Sequence, residues 1–298
     1  MQPPFTMTSS AAPIASIAPI GIFDSGIGGL SVLRHISEQL PQESLLYFAD
    51  SAHNPYGDKN DEWIIQRSLS IADFLFIQGA KALVVACNTA TAAAIHTLRA
   101  QFPNRIIIGL EPGLKPATLQ TQSGHIGVLA TQSTLRSKKF LTLCEQLKQP
   151  RLHVHLQACA GLADRIEKGE LSAPDTVDML KRYLAPLMEN ACDCIVLGCT
   201  HYPFVRPLIE EILNSAGCGH VQLIDTGNAV ARHLKNSLLT HACLNTSSQQ
   251  AHCRFYTSGS PEQLSLALSH LLQMVVSPNS ILPDTSRRTI LPFSTSPV

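Results

Sequence analysis

The chain has 298 residues, of which 45% are hydrophobic and 15% charged, so it is long enough for one large or two ordinary domains with buried cores. Its 22 Lys and Arg balance 22 Asp and Glu, which argues against direct nucleic-acid or membrane-surface binding, because such proteins usually carry a basic excess. The nine cysteines have no regular spacing, and we find neither a signal peptide nor an apolar run approaching ~20 residues. These features predict a cytoplasmic protein with reduced thiols.

Taken in chain order, the sequence predicts nine strands between a Pro/Ser/Ala-rich flexible leader (1–19) and a Ser/Pro-rich flexible tail (277–298). The predicted strands cover residues 20–24, 44–50, 82–87, 105–109, 125–130, 152–158, 194–199, 221–225 and 253–259. Helical patterns follow most of them, as at 29–40 and 262–275, and residues 243–253 read as a loop. Strands that alternate with helices are typical of parallel sheets in an α/β architecture.

Two pairs of short segments repeat along the chain. IGIFDS (20–25) is similar to IGVLAT (126–131) at an offset of 106, and VVACNT (84–89) is similar to VLGCTH (196–201) at an offset of 112. Because the two offsets are similar and the order of elements is the same, we expect two related halves that face each other.

Two cysteines stand where predicted strands end, which is where ligands bind in parallel α/β sheets. Cys87 in VVACNTATAAA and Cys199 in IVLGCTHYP each precede a predicted helix start, where Asn88, Thr89 or Thr200 can cap exposed N–H groups. Such a position is expected to lower the pKa of a thiol. A lone buried cysteine is most often inert, but a matched pair points to chemistry. Other polar residues at predicted strand ends are Asp24, Asp50, Thr131 and Asp225.

Two opposed thiols can invert a carbon centre. One removes a proton from one face, the other returns a proton to the opposite face, and the roles exchange for the reverse reaction. Helix N-termini and hydroxyls would bind the carboxylates of a substrate, and the scheme requires no cofactor.

The glycine-rich stretch GIFDSGIGGLS (21–31) lies between a predicted strand and a predicted helix. It is not a dinucleotide fingerprint, because Ser31 stands three positions after Gly28, and no Gly-Lys-Ser/Thr of a P-loop follows. The glycines therefore predict a tight turn. Asp24 and Ser25 are polar residues at the end of the predicted strand, directly before these glycines. Asp24 either caps the helix or orients a thiol.

The segment CDCIVLGCTH (192–201) offers three thiols and an imidazole, but its spacing fits no common zinc pattern, so we predict no metal. His201, two residues after Cys199, is placed to exchange protons with the site. HNPYGDK (53–59) reads as a Pro-Gly turn.

These motifs together resemble the glutamate racemases of the aspartate/glutamate racemase superfamily. The matching stretches include FDSGIGGLSVL (23–33), PYGDK (55–59), ACNTATA (86–92), GCTHYPF (198–204) and FYTSGSPEQ (255–263), and they span roughly Ile20 to Val276. The resemblance implies two pseudo-symmetric α/β domains, each a mainly parallel sheet flanked by helices, with the active site between them. It places residues 20–116 and 226–276 in the first domain and residues 117–225 in the second.

The resemblance also implies a cofactor-independent, two-base racemase. Cys87 and Cys199 would be the paired base and acid, assisted by Asp24 and His201. The implied substrate contacts are Asp24, Ser25, Tyr56, Gly57, Asn88, Thr89, Thr131, Thr200 and His201.

Members of this family convert L-glutamate into D-glutamate for peptidoglycan. Some are activated by a peptidoglycan precursor and some bind DNA gyrase, and the resemblance also allows a homodimer. One segment departs from the family pattern: ACAGLADRIEKG (158–169) has Ala160 where the family usually has proline, which leaves the role of Glu167 open.

Three readings stay open on the sequence. The first is a glutamate racemase and the second is another racemase of the superfamily, acting on aspartate or a related amino acid. A Cys–His hydrolase or transferase is a different class of enzyme, and it would leave one strand-end cysteine unexplained. A binding module, including a gyrase-binding one, is the third class.

Overall fold

The computed structural model describes residues 16–248 and 250–283. Its strands are β1 (Ile20–Asp24), β2 (Leu45–Ala49), β3 (Ala82–Val85), β4 (Ile106–Gly109), β5 (His125–Ala130), β6 (His153–Ala158), β7 (Cys194–Leu197), β8 (Gln222–Ile224), β9 (Cys253–Thr257) and β10 (Leu282–Pro283). Its α-helices are α1 (Leu30–Gln39), α2 (Asp61–Ile77), α3 (Asn88–Gln101), α4 (Leu114–Gln120), α5 (Gln132–Arg136), α6 (Lys138–Gln146), α7 (Leu162–Glu167), α8 (Pro174–Glu189), α9 (Arg206–Ser215), α10 (Gly227–Thr240) and α11 (Pro261–Leu272).

The strands form two parallel sheets with the same internal order. The first sheet runs β10-β9-β2-β1-β3-β4 and the second runs β6-β5-β7-β8. The four strands β2-β1-β3-β4 of the first sheet have the same order as β6-β5-β7-β8 of the second: in both, the second strand in the chain lies at one end, followed by the first, third and fourth. Every pairing is parallel. β1 and β5 occupy equivalent places, as do β3 and β7, which are the strands of the repeated segments. The predicted α/β architecture of two mainly parallel sheets is confirmed.

Helices cover both faces of the first sheet. Leu33 of α1, Leu234 of α10 and Leu268 of α11 pack against one face, in one cluster with apolar side chains of its strands. Ile71 of α2 and Ala94 of α3 belong to the cluster on the other face. Because both faces are covered, the strands are continuously apolar and do not alternate.

The second sheet is also a three-layer arrangement. Leu162 of α7, Leu184 of α8 and Ile209 of α9 pack on one face. Leu114 of α4 and Phe140 of α6 pack on the other. Across the two described ranges, no helix combines the length and apolar character needed to cross a membrane.

The structure differs from the predicted boundaries at the two ends of the chain. Residues 278–280 form a 3-10 turn, and β10 pairs with β9, although the sequence assigns these residues to a flexible tail. The two-residue strand has no periodicity of its own and depends on β9 for its hydrogen bonds. In the predicted leader, the Pro19 carbonyl accepts from the Lys81 N–H at 2.8 Å. The other leader and tail residues, 1–15 and 284–298, lie outside the described residues.

Candidate active site

Both cysteines line one small pocket beyond the carboxyl ends of β1, β3, β5 and β7. The pocket has a volume of about 20 Å³ and is lined by Ser25, Asn54, Pro55, Tyr56, Gly57, Cys87, Asn88, Thr89, Thr131, Ala163, Cys199, Thr200 and His201. Of the residues that the resemblance assigns to the site, all except Asp24 are in this lining. Residues that lie far apart in the chain are thus brought together from both sheets.

Cys87 is the N-cap of α3, which begins at Asn88. The strand before it, β3, ends two residues earlier, at Val85. Its sulfur accepts from the Ala90 N–H at 3.4 Å and lies 3.7 Å from the Ser25 hydroxyl. The expectation that a helix start lowers the thiol pKa is nevertheless wrong here. Burial, followed by the negative charge of Asp24, raises the pKa of Cys87 far above its ordinary value, and the helix N–H only partly opposes this.

Asp24 lies beneath the pocket and is fully buried. Its Oδ2 accepts from the Gly29 N–H at 2.6 Å, and its Oδ1 lies 3.4 Å from the Ser25 hydroxyl. Burial raises the pKa of Asp24 to about 6, although the His201 charge and the Gly29 N–H partly oppose this. Both readings of Asp24 therefore have support: its carboxylate binds the turn before α1 and, through Ser25, reaches Cys87.

On the second sheet, Cys199 begins a chain of three side chains. Its sulfur lies 3.6 Å from His201 Nδ1, and His201 Nε2 lies 2.7 Å from Glu167 Oε1. Burial lowers the pKa of His201, but the hydrogen bonds with Cys199 and Glu167 outweigh it, so that the pKa is well above its ordinary value of 6.5. The protonated imidazole can therefore donate to both neighbours. Glu167, whose role the sequence left open, completes this group although Ala160 replaces the usual proline.

The opposite side of the pocket carries uncharged polar groups. The Asn88 side chain is buried, and neither polar atom of its amide has a hydrogen-bond partner among the described residues. Thr89 of α3 lies across from Thr131, with their hydroxyls 3.2 Å apart, and Thr134 lies 3.0 Å from Thr131. The sequence did not single out Thr134; its position three residues after the N-cap Thr131 is the signal that could have found it.

Asp50, another strand-end residue, does not line the pocket but holds the turn that does. Its carboxylate accepts from the Tyr56 hydroxyl at 2.5 Å, lies 2.9 Å from His53 Nδ1 and accepts two bonds from Arg67 at 2.5 and 2.9 Å. Burial raises the pKa of Asp50, but these bonds outweigh it and hold the pKa well below its ordinary range. Asp50 is therefore a charged anchor that keeps Tyr56 and Gly57 at the pocket.

Asp225, at the last of the strand ends, also lies outside the pocket. It accepts from the Gly227 N–H at 3.1 Å and from Arg206 Nη1 at 3.2 Å, where the chain passes from β8 into α10. Its contacts are those of a structural residue.

A larger groove of about 790 Å³ adjoins the pocket and shares Gly57 and Thr89 with it. Its cationic side chains outnumber its carboxylates. The cations are Lys59, Lys115, Arg136, Lys138 and Lys139, with Asp61 and Glu111 as the carboxylates. Such a groove suits an anionic ligand.

Metal ligands do not converge at Cys192, Cys194 or elsewhere in residues 16–248 and 250–283: no group of three or more His, Cys, Asp or Glu side chains is arranged to hold an ion.

The family model described as Asp/Glu/Hydantoin racemase matches residues 20–234. This chain belongs to that family. It is 51% identical over 251 residues to a glutamate racemase of Stutzerimonas stutzeri, an alignment that covers 84% of this chain and 92% of the relative. At that identity the chain belongs to the glutamate racemases, and glutamate racemases are isomerases.

Solved structures agree with this assignment. Glutamate racemase of Francisella tularensis in complex with D-glutamate superposes with a TM-score of 0.75 and 30% identity, covering 89% of this chain and 99% of that one. Escherichia coli glutamate racemase in complex with L-glutamate and the activator UDP-MurNAc-Ala has a TM-score of 0.73 and 29% identity, covering 85% and 94%.

Proposed function

We propose that this chain interconverts L- and D-glutamate: one of Cys87 and Cys199 removes the Cα proton, and the other gives its own proton to the opposite face. The observation that carries the proposal is the placement of two buried thiols, one from each half of the fold, in one pocket whose other lining residues are mainly polar. Relatives that bind L-glutamate and D-glutamate share the fold, which supports glutamate as the substrate.

In the reaction, the thiolate of one cysteine takes the Cα proton and leaves the electron pair on the carbon. The thiol of the other cysteine then gives its proton to the opposite face, so that the product has inverted configuration and the two sulfurs have exchanged protonation states. Geometry and charge make the two sides unequal. Cys87 has a raised pKa and is the resting thiol, whereas protonated His201 stabilises negative charge that develops on Cys199, 3.6 Å away.

Substrate binding is assigned to the polar rim of the pocket. The unpartnered amide of Asn88 would gain its missing hydrogen bonds from the substrate, which removes the cost of an unsatisfied buried group. The N-terminus of α3, with Thr89, favours a carboxylate. Ser25, Thr131 and Thr200 supply hydroxyls, and Tyr56 and Gly57 form the wall held by Asp50.

Entry of glutamate requires the two halves to separate. A cavity of about 20 Å³ holds a single water, far less than an amino acid needs. We assign residues 20–116 and 226–276 to one domain and residues 117–225 to the other, since these segments hold the strands of separate sheets; β10 extends the first sheet beyond residue 276, and Leu114 of α4 already packs on the second. Hydrogen bonds between the halves, such as Thr89 to Thr131, would break on opening.

The biological role follows from the product. D-glutamate is a peptidoglycan component, and reduced catalytic thiols fit a cytoplasmic location. The basic groove beside the pocket fits the diphosphate of a peptidoglycan precursor, and the Escherichia coli relative binds UDP-MurNAc-Ala as an activator. Binding such a precursor in this groove is part of the proposal. A homodimer and gyrase binding stay predictions.

The test uses the purified chain with L-glutamate in D2O, without added cofactor, with and without UDP-MurNAc-Ala. Loss of the circular dichroism signal together with deuterium at Cα is expected, and L-aspartate should show neither. Turnover of aspartate instead of glutamate would assign the chain to another substrate of the superfamily. With neither change for either amino acid, the racemase proposal fails and a hydrolase that uses Cys199 and His201 becomes the better reading.

A further inference from the structure

The glycine-rich turn before α1 has a feature that a tight turn alone does not explain. Gly26 and Gly28 both have negative φ, a conformation that any residue adopts, so backbone geometry does not require glycine at either position. The sequence of the turn also lacks the glycine patterns that bind a dinucleotide or the phosphates of a nucleotide. A different reason must account for the missing side chains.

That reason is what lies against the turn. A Cβ atom on Gly26 would lie 1.7 Å from Glu167 Oε1, and one on Gly28 would lie 2.3 Å from His201 Nδ1 and 2.6 Å from Thr200 Oγ1. All three neighbours belong to the second sheet's half, and all are buried or nearly so. The space of the two absent side chains is thus filled by the residues that serve Cys199.

Hydrogen bonds fix the same groups to the same turn. The Ile27 N–H donates to Glu167 Oε1 at 2.7 Å, which is the oxygen that also lies 2.7 Å from His201 Nε2. The Ser31 hydroxyl donates to the Thr200 carbonyl at 2.9 Å. One carboxylate oxygen therefore joins the turn of the first half to the imidazole of the second, between residues 140 positions apart.

We propose that Gly26 and Gly28 are positioning residues: the turn is a seat on which the Glu167, Thr200 and His201 group docks when the halves close, and the missing Cβ atoms set the distance of His201 from Cys199. This inference rests on the proposed function, since it assigns the seat a role in that reaction. It follows that the Cys199 side of the site is complete only in the closed molecule. The Cys87 side is built within the first half, because Asp24, Ser25 and Cys87 all belong to it and Asp24 binds the Gly29 N–H of the same turn.

The variants that test the seat are Gly26→Ala, Gly28→Ala and Glu167→Asp, with the double variant Gly26→Ala/Glu167→Asp. The matched control is Gly219→Ala. Its φ is also negative and its Cβ would meet Asn214 Oδ1 at 2.3 Å, but both residues are exposed and Asn214 can rotate away. The control thus carries the same change in backbone entropy without touching the site.

Two readouts are measured: kcat in both directions, and the His201 imidazole titration by NMR, assigned with His201→Gln. Gly26→Ala should lower kcat by about 100-fold, because a displacement of about 1 Å in a catalytic group costs that much. It should also lower the pKa of His201, since Glu167 is pushed away. The double variant should be no slower than Gly26→Ala alone, because both changes break the same contact.

The inference is overturned if Gly26→Ala keeps kcat within twofold of Gly219→Ala, if the His201 titration does not move, or if the losses in the double variant multiply. Should Gly26→Ala not fold, the double variant must fold if the clash with Glu167 is the cause, and its failure to fold also overturns the seat. A wild-type protein that does not racemise glutamate would refute the proposed function, whereas the His201 titration would still decide the seat.

Discussion

Asp24 allows a prediction in which stability and activity change in opposite directions. Asp24→Asn keeps the shape of the side chain, and its amide oxygen can still accept from the Gly29 N–H. It removes the buried negative charge that acts, through Ser25, on Cys87. We expect the variant to be more stable than the wild type at neutral pH and to racemise glutamate more slowly.

The size of the stabilisation follows from the Asp24 pKa. Burial raises it from 3.8 to about 6, and each pKa unit corresponds to about 1.4 kcal/mol, so the ionised carboxylate costs the folded state about 3 kcal/mol at pH 7. Asp24 is fully buried, and solvent screening therefore does not reduce this figure. Because the folded pKa lies above the unfolded one, the penalty is absent well below pH 3.8, where the carboxyl is protonated in both states, and it reaches its full size as the pH rises through about 6.

Urea unfolding followed by the fluorescence of Trp63, the chain's single tryptophan, measures this difference. The advantage of Asp24→Asn over wild type should be about 3 kcal/mol at pH 7 and should shrink to about 0.5 kcal/mol at pH 4. Ser37→Ala, on the exposed face of α1, serves as a control without a charge change. An Asp24→Asn variant that is less stable than wild type at pH 7, or an advantage that does not depend on pH, would show that the buried Asp24 charge does not destabilise the fold.

Two further predictions concern the neighbouring networks. Glu167→Gln removes the charge beside His201, so the His201 pKa should fall and the alkaline limb of the kcat profile should move to lower pH; an unmoved limb would contradict the pairing. Arg67→Met leaves the Asp50 carboxylate buried without its main partner, so urea unfolding should show a loss of roughly 3–5 kcal/mol. The KM for glutamate should rise in the same variant, because Asp50 holds Tyr56, and Asp50→Asn in the Arg67→Met background should recover part of the stability. No recovery would show that Arg67 acts elsewhere.

Local patterns were sufficient for most of the fold. All nine predicted strands are present, with ends that differ by at most two residues; β3 and β7, for example, stop two residues before Cys87 and Cys199. At those positions the chain already turns towards a helix, and an apolar run does not reveal that change. β10 was missed because two residues carry no pattern and their hydrogen bonds come from β9.

The site was predictable where function falls on consecutive residues and unpredictable where it depends on contacts between the halves. Asn88 directly follows Cys87, His201 stands two residues after Cys199, and all four reach the same pocket. The position of Glu167 on the Ile27 N–H could not be read from the chain. The raised pKa of Cys87 was also missed, because the sequence shows the helix start but not the depth of burial.

Cys87 and Cys199 are proposed to act on opposite faces of one carbon, and the most direct test compares Cys87→Ala with Cys199→Ala. Each variant is incubated with L-glutamate and, separately, with D-glutamate in D2O, and both inversion and Cα deuterium are followed. We predict that neither variant inverts glutamate, and that each exchanges the Cα proton of only one enantiomer, a different one for each variant. Near-normal racemisation by either variant, or exchange of the same enantiomer by both, would contradict it.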